Sequence, residues 1–416
     1  MTLSRLQPVR GTRDLLPDDC RRHRLVGETA RAIAERYGYG EIATPIFEFT
    51  EVFKRTLGET SDIVTKEMYS FTDRGGEMLT LRPENTAGVA RAFISGELGQ
   101  LLPLKFFYAG PMFRHERPQK GRLRQFHQIG VELIGVAEPL GDIEVIGLGA
   151  HILDALGVLG RTTLELNTLG DAESRQAYRA ALRDYLGARR AALSPESQER
   201  LERNPLRILD SKDAGDRQLI QDAPRNAEFL NAASADFFKR VRDGLDAIGV
   251  RYTVNPFLVR GLDYYCHSAF EFTTTELGAQ SAVLAGGRYD GLIETMGGPP
   301  TPGVGWAAGI ERLSMLVADV PMATRPIALV PVGAAGEAAA LALAAELRRA
   351  GFAIDLGYRG NMSKRMKHAN KANARAALLI GDDELAKDIV TLRDLDSGGQ
   401  EAVERGRLAE RLAAFR

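Results

Sequence analysis

The alternation of apolar and polar positions divides the chain into stretches of different character. Residues 21–37 carry apolar side chains at helical spacing, and Gly38-Tyr39-Gly40 ends the run. Glu41-Ile42-Ala43-Thr44-Pro45-Ile46-Phe47-Glu48 reads as a strand whose proline suits an edge or an interface. Residues 77–81, 105–110 and 124–133 read as further strands. They lie close together in sequence, which favours antiparallel pairing. From 172 to 248 the chain is rich in Ala, Arg, Glu and Asp at helical spacing and lacks strand signals, so a helical insertion is predicted. Strand-like segments resume at 252–259, 269–274 and 281–285. A proline- and glycine-rich stretch, 297–303, then leads into a helix over 309–318.

The pattern changes again near 321–326. Strands are predicted at 327–332, 352–356, 376–380 and 388–392, with helices at 336–350 and 363–373. Such alternation predicts a small separate α/β module. The expected division is residues 1–325, interrupted by the helical insertion at 170–250, and residues 326–416.

Composition adds limits. A chain of 416 residues has room for two or three domains, and 44% hydrophobic with 26% charged residues is ordinary for a soluble globular protein. No apolar run is long enough to span a bilayer. Residues 1–8 lack the apolar core and cleavage site of a secretion signal. A cytoplasmic location without a membrane partner is expected. Cys20 and Cys266 have no second pair to make a zinc ribbon, and the six histidines show no H-E-x-x-H spacing. No metal site built from dedicated protein ligands is expected. The net charge of −1 argues against a basic coat over the whole molecule but leaves local basic patches open.

Three stretches carry candidate chemistry. Phe113-Arg114-His115-Glu116-Arg117-Pro118-Gln119-Lys120-Gly121-Arg122-Leu123-Arg124-Gln125-Phe126-His127-Gln128-Ile129-Gly130-Val131-Glu132 reads as a strand, a cationic loop and a return strand. The planar fork of arginine matches phosphate oxygens, and Phe126 offers a face for a base. Taken alone, a solvated basic hairpin fits as well. Gly303-Val304-Gly305-Trp306-Ala307-Ala308-Gly309-Ile310-Glu311-Arg312-Leu313 brings small residues to a helix start, where anions are favoured. Alone it reads equally as a glycine-rich turn into an ordinary helix. The strand holding Thr44-Pro45-Ile46-Phe47-Glu48 says little by itself.

In this order the three resemble the signature motifs of class II aminoacyl-tRNA synthetases. Four further segments narrow the resemblance to the histidyl-tRNA synthetase family, of bacterial type. They are Arg10-Gly11-Thr12-Arg13-Asp14-Leu15-Leu16-Pro17, Leu81-Arg82-Pro83-Glu84-Asn85-Thr86-Ala87-Gly88, Leu258-Val259-Arg260-Gly261-Leu262-Asp263-Tyr264-Tyr265 and Ala285-Gly286-Gly287-Arg288-Tyr289-Asp290-Gly291-Leu292. The resemblance covers essentially the whole chain. It implies an α+β catalytic domain with a mixed, mainly antiparallel sheet, a helical insertion and a C-terminal α/β anticodon-binding domain. It also implies activation of histidine with ATP, magnesium accompanying the nucleotide, transfer of histidine to the terminal adenosine of its tRNA, and a homodimer with the Pro45 strand at the interface.

By the same resemblance, Glu84, Thr86 and Gln128 hold the α-amino group of histidine. Glu132 and Tyr265 read the imidazole, while Tyr264 and Tyr289 shape the pocket. Arg114 and Arg260 lie on either side of the α-phosphate, Arg260 in a role often taken by a metal ion, and both act in catalysis and contact histidine. Arg122 and Arg312 bind the outer phosphates. Glu116 meets adenine or the metal, and Phe126 stacks on adenine opposite Arg312. Arg117, Gln119 and Arg124 meet the tRNA acceptor end. Lys364, Lys367, Lys371 and Arg375 are expected on one helix face opposite Met362, Met366 and Ala369, forming a phosphate-binding surface. A merely solvated basic face is the plainer alternative.

Leu123, where many relatives have an aromatic residue, and Cys266-His267-Ser268 depart from the family pattern without removing a group that has an assigned role. Two rival readings are a catalytically silent synthetase-like subunit that senses histidine, and a nucleic-acid-binding module. The first is disfavoured by the presence of Arg114, Arg260, Arg312 and the C-terminal module. The second leaves the pocket residues without purpose.

Overall fold

The computed structural model describes residues 5–58, 63–119, 121–260, 264–278 and 282–415. The chain forms two compact units, Met1–Val320 and Pro321–Arg416.

In the first unit, α1 (Pro17–Arg36) starts one turn before the apolar pattern does, because Pro17 opens the helix. It buries Val26, Ala30, Ile33 and Ala34 along one stripe. The strand expected over 41–48 is instead two short ones, β1 (Gly40–Glu41) and β2 (Phe47–Phe49). Pro45 lacks an N–H for a ladder, and the two pieces pair in different sheets. After α2 (Thr50–Leu57) come β3 (Tyr69–Thr72) and β4 (Met78–Leu81), which join β2 in a three-stranded sheet of order β2-β4-β3. Next come α3 (Thr86–Ser95) and a long hairpin, β5 (Leu104–Phe113) and β6 (Gln125–Ile134). Its register runs from Leu104↔Ile134 to Phe113↔Gln125. Helix α4 (Pro139–Ala155), which the apolar pattern did not single out, is buried nearly all round.

β7 (Thr163–Thr168) precedes the helical stretch, which holds α5 (Ala172–Gly187), α6 (Pro195–Arg203), α7 (Ala214–Gln221) and α8 (Ala232–Ala247). α5 to α7 enclose a small core of their own around Tyr178, Leu182, Leu201 and Ile220. α8 instead packs on α4, and its Val241 and Leu245 join the main core. The strand expected over 252–259 shrinks to β8 (Thr253–Val254). Pro256 cannot donate to a ladder, and the Asn255 side chain accepts a hydrogen bond from the Phe257 N–H in a local turn. The unit ends with β9 (Cys266–Thr273), β10 (Ala282–Arg288), α9 (Leu292–Thr295), β11 (Gly303–Gly309) and α10 (Ile310–Leu316). The glycine-rich stretch before α10 is thus a strand.

Eight strands form one sheet of order β1-β5-β6-β11-β10-β9-β7-β8. Its pairings are antiparallel except at the two edges, β1 with β5 and β7 with β8. Side chains alternate between faces, so opposite partners share a face. Ile129, Val131, Leu133, Val304, Trp306, Phe270 and Phe272 point to one side, where they build the main core with α1, α4 and α10. The other face carries Phe126, Gln128, Gly130 and Glu132, opposite Gly309, Ala307 and Gly305 on β11. Small residues thus make a floor over which other groups can gather.

The second unit contains β12 (Ile327–Pro331), α11 (Gly333–Arg349), β13 (Ile354–Leu356), α12 (Met362–Lys371), β14 (Ala376–Ile380), α13 (Asp382–Ala386), β15 (Ile389–Asp394), β16 (Gln400–Glu404) and α14 (Leu408–Leu412). The sheet order is β13-β12-β14-β15-β16. The first three strands are parallel and the last two antiparallel. β16 and α14 were not anticipated, although Gly398-Gly399 is a hairpin signal.

Candidate active site

Above the small-residue floor lies a cavity of about 330 Å³ lined by Glu84, Thr86, Arg114, Glu116, Arg122, Leu123, Phe126, Gln128, Arg260, Tyr264, Tyr265, Glu311 and Arg312, among others. Four guanidinium-bearing residues from three segments far apart in sequence therefore meet in one cleft. Gly261, Leu262 and Asp263, which follow Arg260, lie outside the described residues, as do Lys120 and Ser281.

The hairpin supplies one wall. The Arg114 Nε donates to the Pro83 carbonyl at 2.8 Å, and the guanidinium lies 5.3 Å from the centre of the Phe126 ring. Glu116 is buried and draws in two cations, with Arg122 against one oxygen and Arg114 at 3.8 Å from the other. Arg124 donates to the Glu116 carbonyl and lies across Gly11. Gly11 has φ +86°, which glycine adopts without strain, and a Cβ there would meet Arg124 and Pro118. Thus the Arg10–Asp14 segment braces the cationic loop. Arg117 and Gln119 are exposed on that loop, while Arg124 is half-buried in it.

Helix α10 orients Arg312. Because β11 ends opposite Gln128, the next β6 donor, the His127 N–H, has no strand partner. The Glu311 carboxylate takes that N–H at 2.9 and 3.0 Å. The side chain of Glu311 extends the ladder, and the next residue, Arg312, reaches the cavity.

The opposite end is built around buried acid and phenol groups. Glu84 accepts the N–H groups of Thr86 and Ala87 at 2.6 and 3.0 Å, satisfying the first turn of α3. Glu132 stands one layer below the cavity wall, with no solvent exposure. It accepts from the Thr86 hydroxyl at 2.6 Å and from the Tyr289 hydroxyl. Burial pushes its carboxyl up to about 8. Gly305 is required beneath it, since a Cβ there would run into the Glu132 carboxylate. Tyr264 and Tyr265 have ring centres 4.6 Å apart, and Tyr289 lies 5.9 Å from Tyr264. Tyr289 backs Glu132 and does not line the cavity itself.

Arg260 does not stand alone in the cavity wall. It pairs with Glu271, and both side chains are largely buried. Glu271 faces the cavity side of β9 between Phe270 and Phe272, which face the core; an acid inside an alternating apolar strand was the available signal. In the cavity wall, Gln128 Oε1 and Arg260 Nε are shielded from solvent and have no hydrogen-bond partner among the described residues, and Glu116 Oε2 is satisfied only by its ion pair with Arg122. Such atoms are costly unless a ligand satisfies them.

In the second unit, Lys364, Lys367 and Lys371 are exposed on α12. Arg365 of the same helix is buried, where it donates to the Pro331 carbonyl and pairs with Glu337. One expectation fails here: Arg375 lies beyond the end of α12 and so is not part of the lysines' helix face.

Comparison with known proteins agrees with this geometry. The family model described as Histidyl-tRNA synthetase matches residues 11–313, and that described as Anticodon binding domain matches 327–415. A histidine–tRNA ligase of Rhodospirillum rubrum is 64% identical over 414 residues, spanning 99% of this chain and 100% of that protein. One from Gluconobacter oxydans is 56% identical and spans 100% of both. The structure of apo S. aureus histidyl-tRNA synthetase aligns with a TM-score of 0.82 at 34% identity, covering 98% of this chain and 99% of that one. With both matches falling on the segments that build the cleft and the second sheet, the chain belongs to the histidyl-tRNA synthetase family.

Proposed function

We propose that the chain is a histidine–tRNA ligase that activates L-histidine with ATP and transfers it to the terminal adenosine of histidine tRNA. The observation that carries this reading is the single cleft in which Arg114, Arg122, Arg260 and Arg312 adjoin Glu84, Thr86, Gln128 and Tyr265. Phosphate-matching cations beside a small pocket of acids and phenols suit an amino acid joined to a nucleotide.

In the first step the histidine carboxylate oxygen bonds to the α-phosphorus of ATP, and the bond to pyrophosphate breaks. Arg114 and Arg260 stabilise charge at the α-phosphate, while Arg122 and Arg312 hold the outer phosphates. Phe126 stacks on adenine. Glu84, Thr86 and Gln128 receive the α-ammonium, and Glu132 and Tyr265 pair with the imidazole, with Tyr264 and Tyr289 shaping the pocket. Positioning and fixed positive charge supply the rate, and no protein nucleophile is needed. Of the carboxylates in the wall, Glu84 and Glu311 are held by backbone N–H groups, which leaves Glu116 as an oxygen donor for a hard cation, and magnesium brought with ATP would there neutralise phosphate charge. In the second step a ribose hydroxyl of the tRNA attacks the histidyl carbonyl carbon and AMP leaves.

Arg117, Gln119 and Arg124 are proposed contacts for the acceptor end, and Lys364, Lys367 and Lys371 for the tRNA backbone. One face of the three-stranded sheet exposes Phe47, Phe49 and Phe71, an apolar patch that supports a homodimer. Among the described residues no helix is long and apolar enough to cross a membrane, and both cysteines are free. Free cysteines suit a reducing compartment, the cytoplasm.

The test is exchange of labelled pyrophosphate into ATP with each amino acid in turn. Exchange driven by histidine alone supports the reading. Folded protein that exchanges with no amino acid, or with another in preference, refutes it.

A further inference from the structure

On the core side of the sheet, beside the cavity whose wall Glu311 also joins, three elements bring ligating side chains together. His23 of α1, His127 of β6 and Glu311 of α10 each place one donor atom within 4.8 Å of the other two. Among the described residues this is the one cluster of three or more such side chains around a common point. We propose that His23, His127 and Glu311 bind a divalent transition-metal ion of the zinc type, in a site distinct from any magnesium that accompanies ATP.

The donor set decides the kind of ion. Two imidazoles and one carboxylate are the ligands of open zinc sites, which leave a position for water. Magnesium and calcium take oxygen donors and would leave the imidazoles unused. Charge agrees: with neutral imidazoles the cluster has one buried negative charge, on Glu311, and a cation offsets it.

The group is also partly arranged in advance. Glu311 is fixed by the His127 N–H and by His127 Nδ1 at 2.8 Å, contacts that set both ring and carboxylate. The His23 and His127 rings meet edge to face with centres 5.4 Å apart. His23 Nε2 is shielded from solvent, yet it has no hydrogen-bond partner among the described residues. A buried imidazole nitrogen without a partner is a donor set aside for something else. Zinc bonds of about 2.1 Å put tetrahedral donors about 3.4 Å apart. Binding therefore parts the 2.8 Å His127–Glu311 contact slightly and draws His23 inward from a separation of at most 4.8 Å. α1 packs on α10 and on β6, so turning the His23 side chain supplies that movement. A bound ion would brace the strand that carries Phe126 and Gln128 against the helix that carries Arg312.

Cobalt titration of the full-length, chelator-stripped protein in excess magnesium tests this. The expected result is one cobalt ion per chain with visible ligand-field bands, displaced by zinc. His23→Ala should weaken binding at least about tenfold. His23→Cys, made in a Cys20→Ser background, should keep the ion and add a thiolate-to-cobalt charge-transfer band. Thermal unfolding checks that each variant is folded. Absence of saturable one-to-one binding by the wild type overturns the proposal. So does binding that His23→Ala leaves unchanged while His23→Cys gains no new band.

Discussion

Glu132 shows how one side chain carries both a structural cost and a binding role. In the unfolded chain its carboxyl ionises at its ordinary value, whereas in the fold burial holds the proton on up to about 8. Between those values the folded chain binds more protons than the unfolded chain, so this group lowers stability as pH rises through the window. Glu132→Gln removes that titration. It is expected to flatten the decline in ligand-free Tm between about pH 5 and about pH 8, as read by calorimetry. An unchanged slope would contradict the buried-acid account. The same variant should weaken histidine binding by about 10- to 100-fold, the range for a hydrogen bond to a charged group, as measured by titration calorimetry. Arg260 needs a different design. Arg260→Ala alone strands the buried Glu271 carboxylate, and breaking a buried pair costs about 3–5 kcal/mol. The double variant Arg260→Gln with Glu271→Gln should stay folded and lose at least about a hundredfold in pyrophosphate exchange. Full exchange by the folded double variant would remove Arg260 from catalysis. The identity of Glu132, Arg260 and Tyr265 as site candidates was legible from motifs. Thr86 and Tyr264 were legible there too, but Glu271 was not, and the pairings Thr86–Glu132, Arg260–Glu271 and Tyr264–Tyr265 follow from register and packing, which a motif does not specify.

At the scale of elements, the site depends on a sheet with one small-residue face. Gly305 lies beneath Glu132, and a Cβ at Gly303 would run into the Tyr289 ring. Gly305→Ala should therefore lower Tm and raise the histidine KM together, because the floor and the acid compete for the same space. Behind the sheet, Arg288 and Asp142 form a pair with no exposure, and Arg288 also bonds Asp290 and the Val136 carbonyl. Arg288→Met should cost about 3–5 kcal/mol in urea unfolding, since it leaves Asp142 buried and unpaired. Asp142 stands in the first turn of α4, a helix that also holds Glu144, His151 and Asp154, so the sequence marked neither it nor its pairing with Arg288. α4 was missed, but the hairpin strands, α1, α10, α11 and α12 were visible from periodicity. The split at Pro45 and the short β8 were not, because an X-Pro step ends pairing without ending an apolar run. The His23–His127–Glu311 cluster was also invisible, since its donors come from three separate elements and have no fixed spacing.

At the scale of the molecule, the cleft and the exposed lysines belong to different units. The first contains the cleft; the second presents Lys364, Lys367 and Lys371 on one helix. Replacing these three lysines with glutamine should reduce the rate of tRNA charging and its salt dependence, while pyrophosphate exchange stays at the wild-type rate. Loss of both activities would mean that α12 supports the fold and not the tRNA. The α/β character of the second unit was legible from strand–helix alternation. The helical stretch was legible as helix, but nothing in its periodicity distinguished α8, which packs on the main core, from α5 to α7, which do not. The central claim is that one cleft holds an adenylate by its phosphate and an imidazole by its ring. A crystal structure with a non-hydrolysable histidyl-adenylate analogue tests it most directly. The phosphoryl group should lie between Arg114 and Arg260 and the imidazole should be hydrogen-bonded to Glu132 and Tyr265; an analogue seated with its imidazole away from both would contradict this.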